Sequence, residues 1–222
     1  MTGKGFFITG TDTDVGKTWV SIALMHKLQR NGLVVTGMKP VAAGCDWLQG
    51  GWKNQDALLL QLHASCAMAY ELVNPYAFER PVSPHIACGE KQVGLDVILP
   101  AYQVLQSVSG MVVVEGAGGW FSPLGRELDN ASLAKALQLP VIMVVGMRLG
   151  CINHALLTYQ AIKASGLECA GWVAVQIDSA MIDVQANLDF LAARMDIRLL
   201  GCLPYLEMPD FELLSSYIEF ES

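Results

Sequence analysis

The chain has 222 residues, 53% of them hydrophobic and 16% charged, and a net charge of −7 with no run of Lys or Arg. That length and composition suit one well-cored α/β domain over residues 1–222 and exclude a disordered chain. The acidic balance argues against nucleic acid and anionic membranes as partners, although a local cluster of cations is enough to hold a nucleotide polyphosphate.

Residues 5–9 form a short apolar run that reads as a first strand. It leads into Gly-Thr-Asp-Thr-Asp-Val-Gly-Lys-Thr at 10–18, and a helix-compatible stretch follows over 19–28. Strand, glycine-bounded loop ending in Gly-Lys-Thr, and helix are the context of a phosphate-binding loop. The loop's backbone N–H groups and the helix N-terminus favour an anion. Lys17 is placed to reach the outer phosphates and the Thr18 hydroxyl to bind magnesium. The usual spacing asks for glycine at 11; here Thr11 stands there and Gly10 is one place early.

A second strand is predicted over 34–39, closed by Pro40. Lys39 thus falls at its carboxyl end, where open α/β sheets bind ligands; a solvated charge is the alternative. Residues 41–52 are Gly-rich and read as a loop, 54–63 as a helix with Asp56 in its first turn. A carboxylate there suits the helix dipole without any further role. The stretch 74–85 holds three prolines and reads as irregular, and 94–108 reads as a helix that Pro100 is placed to kink.

Residues 111–121, Met-Val-Val-Val-Glu-Gly-Ala-Gly-Gly-Trp-Phe, are the second strong motif. Four β-formers end in Glu115, and a Gly-rich turn follows. An acidic residue closing a buried strand is the usual magnesium partner of a phosphate loop. Buried and unpaired it would be costly, so a cation or hydrogen-bond donor is expected beside it. The glycines do not fit Gly-x-Gly-x-x-Gly, so a nicotinamide site is not expected. A buried strand is predicted over 140–146, with a helix after it to about 163. Gly150 and Asn153 near that helix start suit either an anion or ordinary capping. Strand 169–177, helix 184–195, strand 199–204 and a helical tail over 211–220 complete the chain. Six strands alternating with helices predict a doubly wound, mostly parallel sheet in a three-layer α/β/α arrangement. Their useful ends are the phosphate loop, Lys39, Glu115, Gln176 and Pro204.

The cysteines at 45, 66, 88, 151, 169 and 202 show no metal-ligand spacing. They read as reduced residues of a cytoplasmic protein. The four histidines are scattered, and no signal peptide or membrane span is visible.

Several stretches together resemble the dethiobiotin synthetases. They are residues 10–18, Lys-Pro-Val-Ala at 39–42, Asn-Pro-Tyr at 74–76, Ser-Pro-His at 83–85, Val-Glu-Gly-Ala-Gly-Gly-Trp-Phe at 114–121, Leu-Gly-Cys-Ile-Asn-His at 149–154 and Ala-Gly-Trp-Val at 170–173. The resemblance implies a P-loop ligase of biotin biosynthesis that makes dethiobiotin from 7,8-diaminononanoate, CO₂ or bicarbonate and MgATP. The route runs through a carbamate and a carbamic-phosphoric anhydride and releases ADP and phosphate. It implies Thr18, Asp56 and Glu115 as magnesium ligands, and Lys17 and Lys39 as the catalytic cations. ATP contacts are implied for Asp14, Val15, Gly16, Lys17, Thr18, Trp19, Asp56, Glu115, Gly116, Ala117, Gly118, Gln176, Pro204, Tyr205 and Leu206. Substrate contacts are implied for Thr13, Lys39, Ala43 and Gly118, and for Gly150, Cys151 and Asn153 from the second subunit of a homodimer. Three positions depart from the family pattern. Ala43 stands where Ser is common, Asp14 where Glu is common, and Val175-Gln176 where Asn-Asp is expected to read the adenine edge. Weak discrimination among nucleoside triphosphates is expected from the last. A partition-type ATPase is disfavoured by Asp12, which holds the position of that class's extra lysine. A small-molecule kinase is the other alternative, distinguished by where the phosphate ends.

Overall fold

The computed structural model describes residues 5–220. In chain order the elements are β1 (Gly5–Gly10), α1 (Lys17–Arg30), β2 (Val35–Met38), β3 (Val41–Ala43), β4 (Asp46–Leu48), β5 (Gly51–Lys53), α2 (Gln55–Leu62), α3 (Tyr70–Val73) and β6 (Tyr76–Phe78). They continue with α4 (Pro84–Ala87), α5 (Leu95–Val108), β7 (Met111–Gly119), α6 (Asn130–Leu137), β8 (Val141–Met147), α7 (Cys151–Ala164), β9 (Cys169–Gln176), α8 (Val184–Ala192), β10 (Leu199–Leu203) and α9 (Phe211–Ser216).

The six predicted strands form one sheet in the order β10-β9-β8-β1-β7-β2. Every pairing in it is parallel. Both faces are covered, which is why the strands read as unbroken apolar runs. Alternate side chains enter opposite cores. Phe7, Val112, Val114, Met143, Val145 and Trp172 pack towards α5, α6, α7 and α8. Ile8, Val113, Ile142, Val144 and Val173 pack towards α1, α2 and α9. The expected doubly wound, three-layer α/β/α fold is therefore present. From β1 the chain goes first to one side, to β2 and β7, and then crosses to β8, β9 and β10. The crevice at the carboxyl end of β1 is the reversal point where such sheets bind ligands.

Several local expectations need correction. The stretch 41–52 is not a loop: β3 pairs in parallel with β6, and β4 with β5 as an antiparallel hairpin. Part of the stretch read as irregular is thus β6 and α4. β7 does not end at Glu115 but continues to Gly119, with a register shift against β1 between Ile8 and Gly10. Helix α5 runs on through Pro100, which is exposed, so the carbonyl freed by its missing N–H can meet water. α8 stops at Ala192, and the tail helix α9 ends at Ser216 rather than reaching 220. α3 and α6 were not anticipated. Among the described residues no helix is long and apolar enough to cross a membrane.

Candidate active site

The phosphate loop joins β1 to α1. Thr11 N–H donates to the Val144 carbonyl at 2.9 Å, tying the loop to β8. Asp14 (φ 55°) and Gly16 (φ 89°) both take left-handed backbone, and Gly16 caps α1 with no side-chain cap. A Cβ on Gly16 would lie 2.8 Å from Val175, so glycine lets the loop sit directly on β9. Val15 is 1% exposed and packs inward beside Gly146; only its backbone is available to a ligand.

Beyond this loop three side chains converge. Lys39 follows β2. Its N–H donates to Val73 O at 2.8 Å, and its carbonyl accepts from Asn74 Nδ2 at 2.6 Å. Its ammonium donates to Asp56 Oδ2 at 2.6 Å and to Glu115 Oε1 at 2.7 Å. Thr18 Oγ1 donates to the same Glu115 oxygen at 3.0 Å. Asp56 stands in the first turn of α2, whose Asn54 cap accepts Ala57 N–H at 3.2 Å. Asn54 N–H in turn donates to Tyr70 Oη (2.7 Å), and the Tyr70 hydroxyl donates to Asn74 Oδ1 (2.9 Å). One buried network thus sets both Lys39 and the start of α2.

Electrostatics follow from this packing. Burial pulls the Lys39 ammonium down, but Glu115 and then Asp56 outweigh it, and its pKa is raised. Burial pushes the Asp56 carboxyl up, yet the charge and hydrogen bond of Lys39 bring it below its ordinary value. Lys17 is lowered, chiefly by burial. Its amine turns back to the Asp12 carbonyl at 3.0 Å. The Tyr70 phenol is pushed up to about 12 by burial.

The glycine turn after Glu115 is held from below. Asn130 Nδ2, fully buried at the start of α6, donates to the carbonyls of Ala117 (2.8 Å) and Gly119 (2.7 Å). Gly119 N–H donates to Ser122 Oγ at 2.8 Å, and Gly118 takes φ 75°. A cavity of about 880 Å³ lies over these groups. Its walls include Thr13, Lys17, Thr18, Lys39, Asp56 and Glu115 at the polar end. Trp19, Gln176, Ile177, Tyr205 and Leu206 form another side, and Ala42 to Gly44 with Pro81 to Pro84 a third.

Of the residues named from sequence, Asp14, Gly16, Ala43, Ala117 and Gly118 also line this cavity. Val15, Gly116 and Pro204 do not. Gly116 is packed against Asn130, where a Cβ would meet Oδ1 at 2.7 Å. Gly150, Cys151 and Asn153 also lie outside it; Gly150 and Asn153 are exposed and Cys151 is buried. Asn54, Tyr70, Asn130 and Ser122 were missed. No catalytic motif marks them: they act on the backbone of the site through capping and turn contacts, some as near as three or four residues and others 11 to 16 residues away.

The acidic donors fit a divalent cation of the magnesium type. Thr18, Asp56 and Glu115 offer hard oxygens, and Glu115 Oε2 is buried with no partner. Among the described residues no group of three or more His, Cys, Asp or Glu is arranged to hold a metal. A magnesium ion takes one or two carboxylates and completes its shell with water and phosphate oxygens.

A family model described as an AAA domain matches residues 4–211. The chain is 48% identical over 209 residues to the ATP-dependent dethiobiotin synthetase BioD of Aromatoleum aromaticum, covering 93% of each chain. It is 46% identical over 208 residues to that of Xylella fastidiosa, covering 93% of this chain and 92% of the relative. Against that of Xanthomonas oryzae pv. oryzae it is 46% identical over 214 residues, covering 96% and 95%. Among solved structures a ParA family ATPase from Chlorobium tepidum superposes with a TM-score of 0.58 at 11% identity, over 92% of this chain and 86% of that one. The septum site-determining protein MinD from Pyrococcus horikoshii gives 0.51 at 15%, over 90% and 81%. These two share the fold. With the phosphate loop, the carboxylates around Lys39 and near-complete alignment in agreement, the chain belongs to the family of ATP-dependent dethiobiotin synthetases.

Proposed function

We propose that this protein closes the cyclic urea of dethiobiotin from 7,8-diaminononanoate, CO₂ and MgATP, with release of ADP and phosphate. The observation that carries this is the Lys39 ammonium, 2.6 and 2.7 Å from Asp56 and Glu115, in one cavity with Lys17 and Thr18 of the phosphate loop. The reaction brings two anions together, a carbamate and a terminal phosphate, and then moves charge between them. Fixed cations held by neighbouring carboxylates suit that, because phosphoryl transfer depends mainly on positioning and electrostatics.

The residues divide as follows. The loop amides and Lys17 bind the phosphates. Lys17 has its pKa lowered by burial, so an incoming polyphosphate also restores the environment its charge favours. Thr18, Asp56 and Glu115 hold magnesium, which when bound screens the phosphate charge. Lys39, charged and buried, faces the carbamate. Thr13 and Gly118 line the substrate side, where Ala43 offers no hydroxyl. Trp19, Gln176, Tyr205 and Leu206 flank the nucleoside. Gly150, Cys151 and Asn153 lie outside this cavity, and the fully exposed Leu149 (99%) beside them suits a homodimer in which they complete the partner's site. One domain over 1–222 and six unpaired cysteines are in keeping with a cytoplasmic enzyme.

The test is incubation with the diamine, ¹³C-bicarbonate and MgATP, followed by mass spectrometry. Labelled dethiobiotin with stoichiometric free phosphate is expected. A phosphorylated amine without carbon incorporation would make the protein a kinase instead.

A further inference from the structure

Asp12 stands five residues before Lys17 and is the junction of three contacts. Its Oδ1 accepts Thr13 N–H at 2.8 Å, its Oδ2 accepts from Arg148 Nη2 at 2.5 Å, and its carbonyl accepts from the Lys17 amine at 3.0 Å. Arg148 lies between β8 and α7, two residues before Gly150. Its side chain is 42% exposed and that of Asp12 45%, so the pair sits at the rim of the loop. Neither residue lines the cavity. Left alone, the Asp12 carboxylate would place a negative charge beside amides meant for phosphate, with Asp14 close behind it. Arg148 neutralises that charge. It also fixes the peptide whose carbonyl parks Lys17, and so ties the phosphate loop to the start of α7.

We propose that Asp12 and Arg148 are a positioning pair: Arg148 compensates and holds Asp12, and thereby keeps the loop and Lys17 shaped for a nucleotide polyphosphate without touching it. The proposal rests on the reading of Lys17 as a phosphate-binding group. The loop supplies the amides, and the pair supplies the neutral rim they need.

The experiment measures MgADP affinity by titration calorimetry, with KM for ATP, kcat and thermal midpoint alongside. The proteins are the wild type, Arg148→Ala, Arg148→Lys, Asp12→Asn and the double variant Asp12→Asn/Arg148→Ala. Arg148→Ala should weaken MgADP and raise KM for ATP by roughly fivefold, the scale of one half-exposed ion pair, with kcat and thermal midpoint nearly unchanged. Arg148→Lys should restore most of the affinity. In the Asp12→Asn background the Arg148→Ala change should cost nothing more, because the charge it compensated is gone. An equal loss in both backgrounds would mean that Arg148 acts on the phosphate directly, and no loss in Arg148→Ala would also overturn the pair. Lys17→Met separates the underlying reading: if it leaves MgADP affinity intact, the phosphate-loop assignment fails, whatever Arg148 does.

Discussion

Lys39 is the residue on which the site turns. Its side chain is 7% exposed and Glu115 is fully buried, so each needs the other. Breaking a buried pair by removing one partner costs about 3–5 kcal/mol, because the remaining charge is stranded. Lys39→Met is therefore expected to destabilise the fold on that scale and to abolish ring closure. Magnesium should return part of the lost stability by replacing the missing charge, and urea unfolding with and without MgCl₂ reads both effects. The pH dependence follows from the signs. The pKa of Lys39 is raised, so its contribution is complete below the ordinary 10.5 and fades as pH rises through the folded value. That of Asp56 is lowered, so its contribution is complete above 3.8 and fades as pH falls through the folded value. Asp56→Asn should flatten the acid limb of the stability curve and leave neutral pH unaffected by titration. On the cavity wall proposed to take the nucleoside, the Gln176 side-chain amide makes a weak 3.9 Å approach to Cys202 Sγ. A site not built around hydrogen bonds to one base discriminates poorly, so ATP, GTP and CTP should compete within about tenfold of one another. A preference above roughly a hundredfold would contradict that reading.

Among the elements, the phosphate loop shows how a local motif depends on a remote strand. Gly16 needs positive φ, and it also needs room, since its Cβ position is 2.8 Å from Val175 Cγ1 on β9. Gly16→Ala should cost about 1–3 kcal/mol for the left-handed backbone and more for the clash. Adding Val175→Ala should return the clash term only. Denaturation midpoints of the two variants separate the parts, and identical midpoints would show that the clash contributes nothing. The β7–α6 unit works in the same way: the Gly116–Gly119 backbone is shaped by Asn130, which α6 delivers from a stretch that carried no motif. The small sheets escaped sequence reading because strands of three residues show too little alternation to register as a period. Only their pairing partners make them strands.

For the molecule as a whole, the chain's last helix closes the fold through histidine. His26 on α1 shares hydrogen bonds with Glu212 of α9 and with His63 after α2, both at 2.9 Å. Burial and then the charge of His26 hold His63 below its ordinary 6.5. Below 6.5 the unfolded chain binds a proton that the folded one resists, so stability falls as pH drops towards the folded value. His63→Gln should remove that loss, and unfolding at neutral and mildly acid pH checks it. The same closure shows where sequence reading ends. By itself the sequence determined the six strands, because each is a mainly apolar run bounded by Gly, Pro or a polar residue, and it singled out Lys17, Thr18 and Glu115, because the phosphate-loop motif opens a helix with the first two and a carboxylate follows a buried apolar run at the third. It could not say which ends meet. The sheet order decided that: β7 inserts between β1 and β2, with Glu115 beside Ile8 in register, and this brings Thr18, Lys39 and Glu115 to one point. It also decided that Asp56 is an ion-pair partner rather than only a dipole-pleasing carboxylate, and that Arg148 reaches Asp12 across 136 residues. Such contacts arise when many apolar faces are buried together, and a charged side chain's partner is set by that packing and not by its neighbours in sequence.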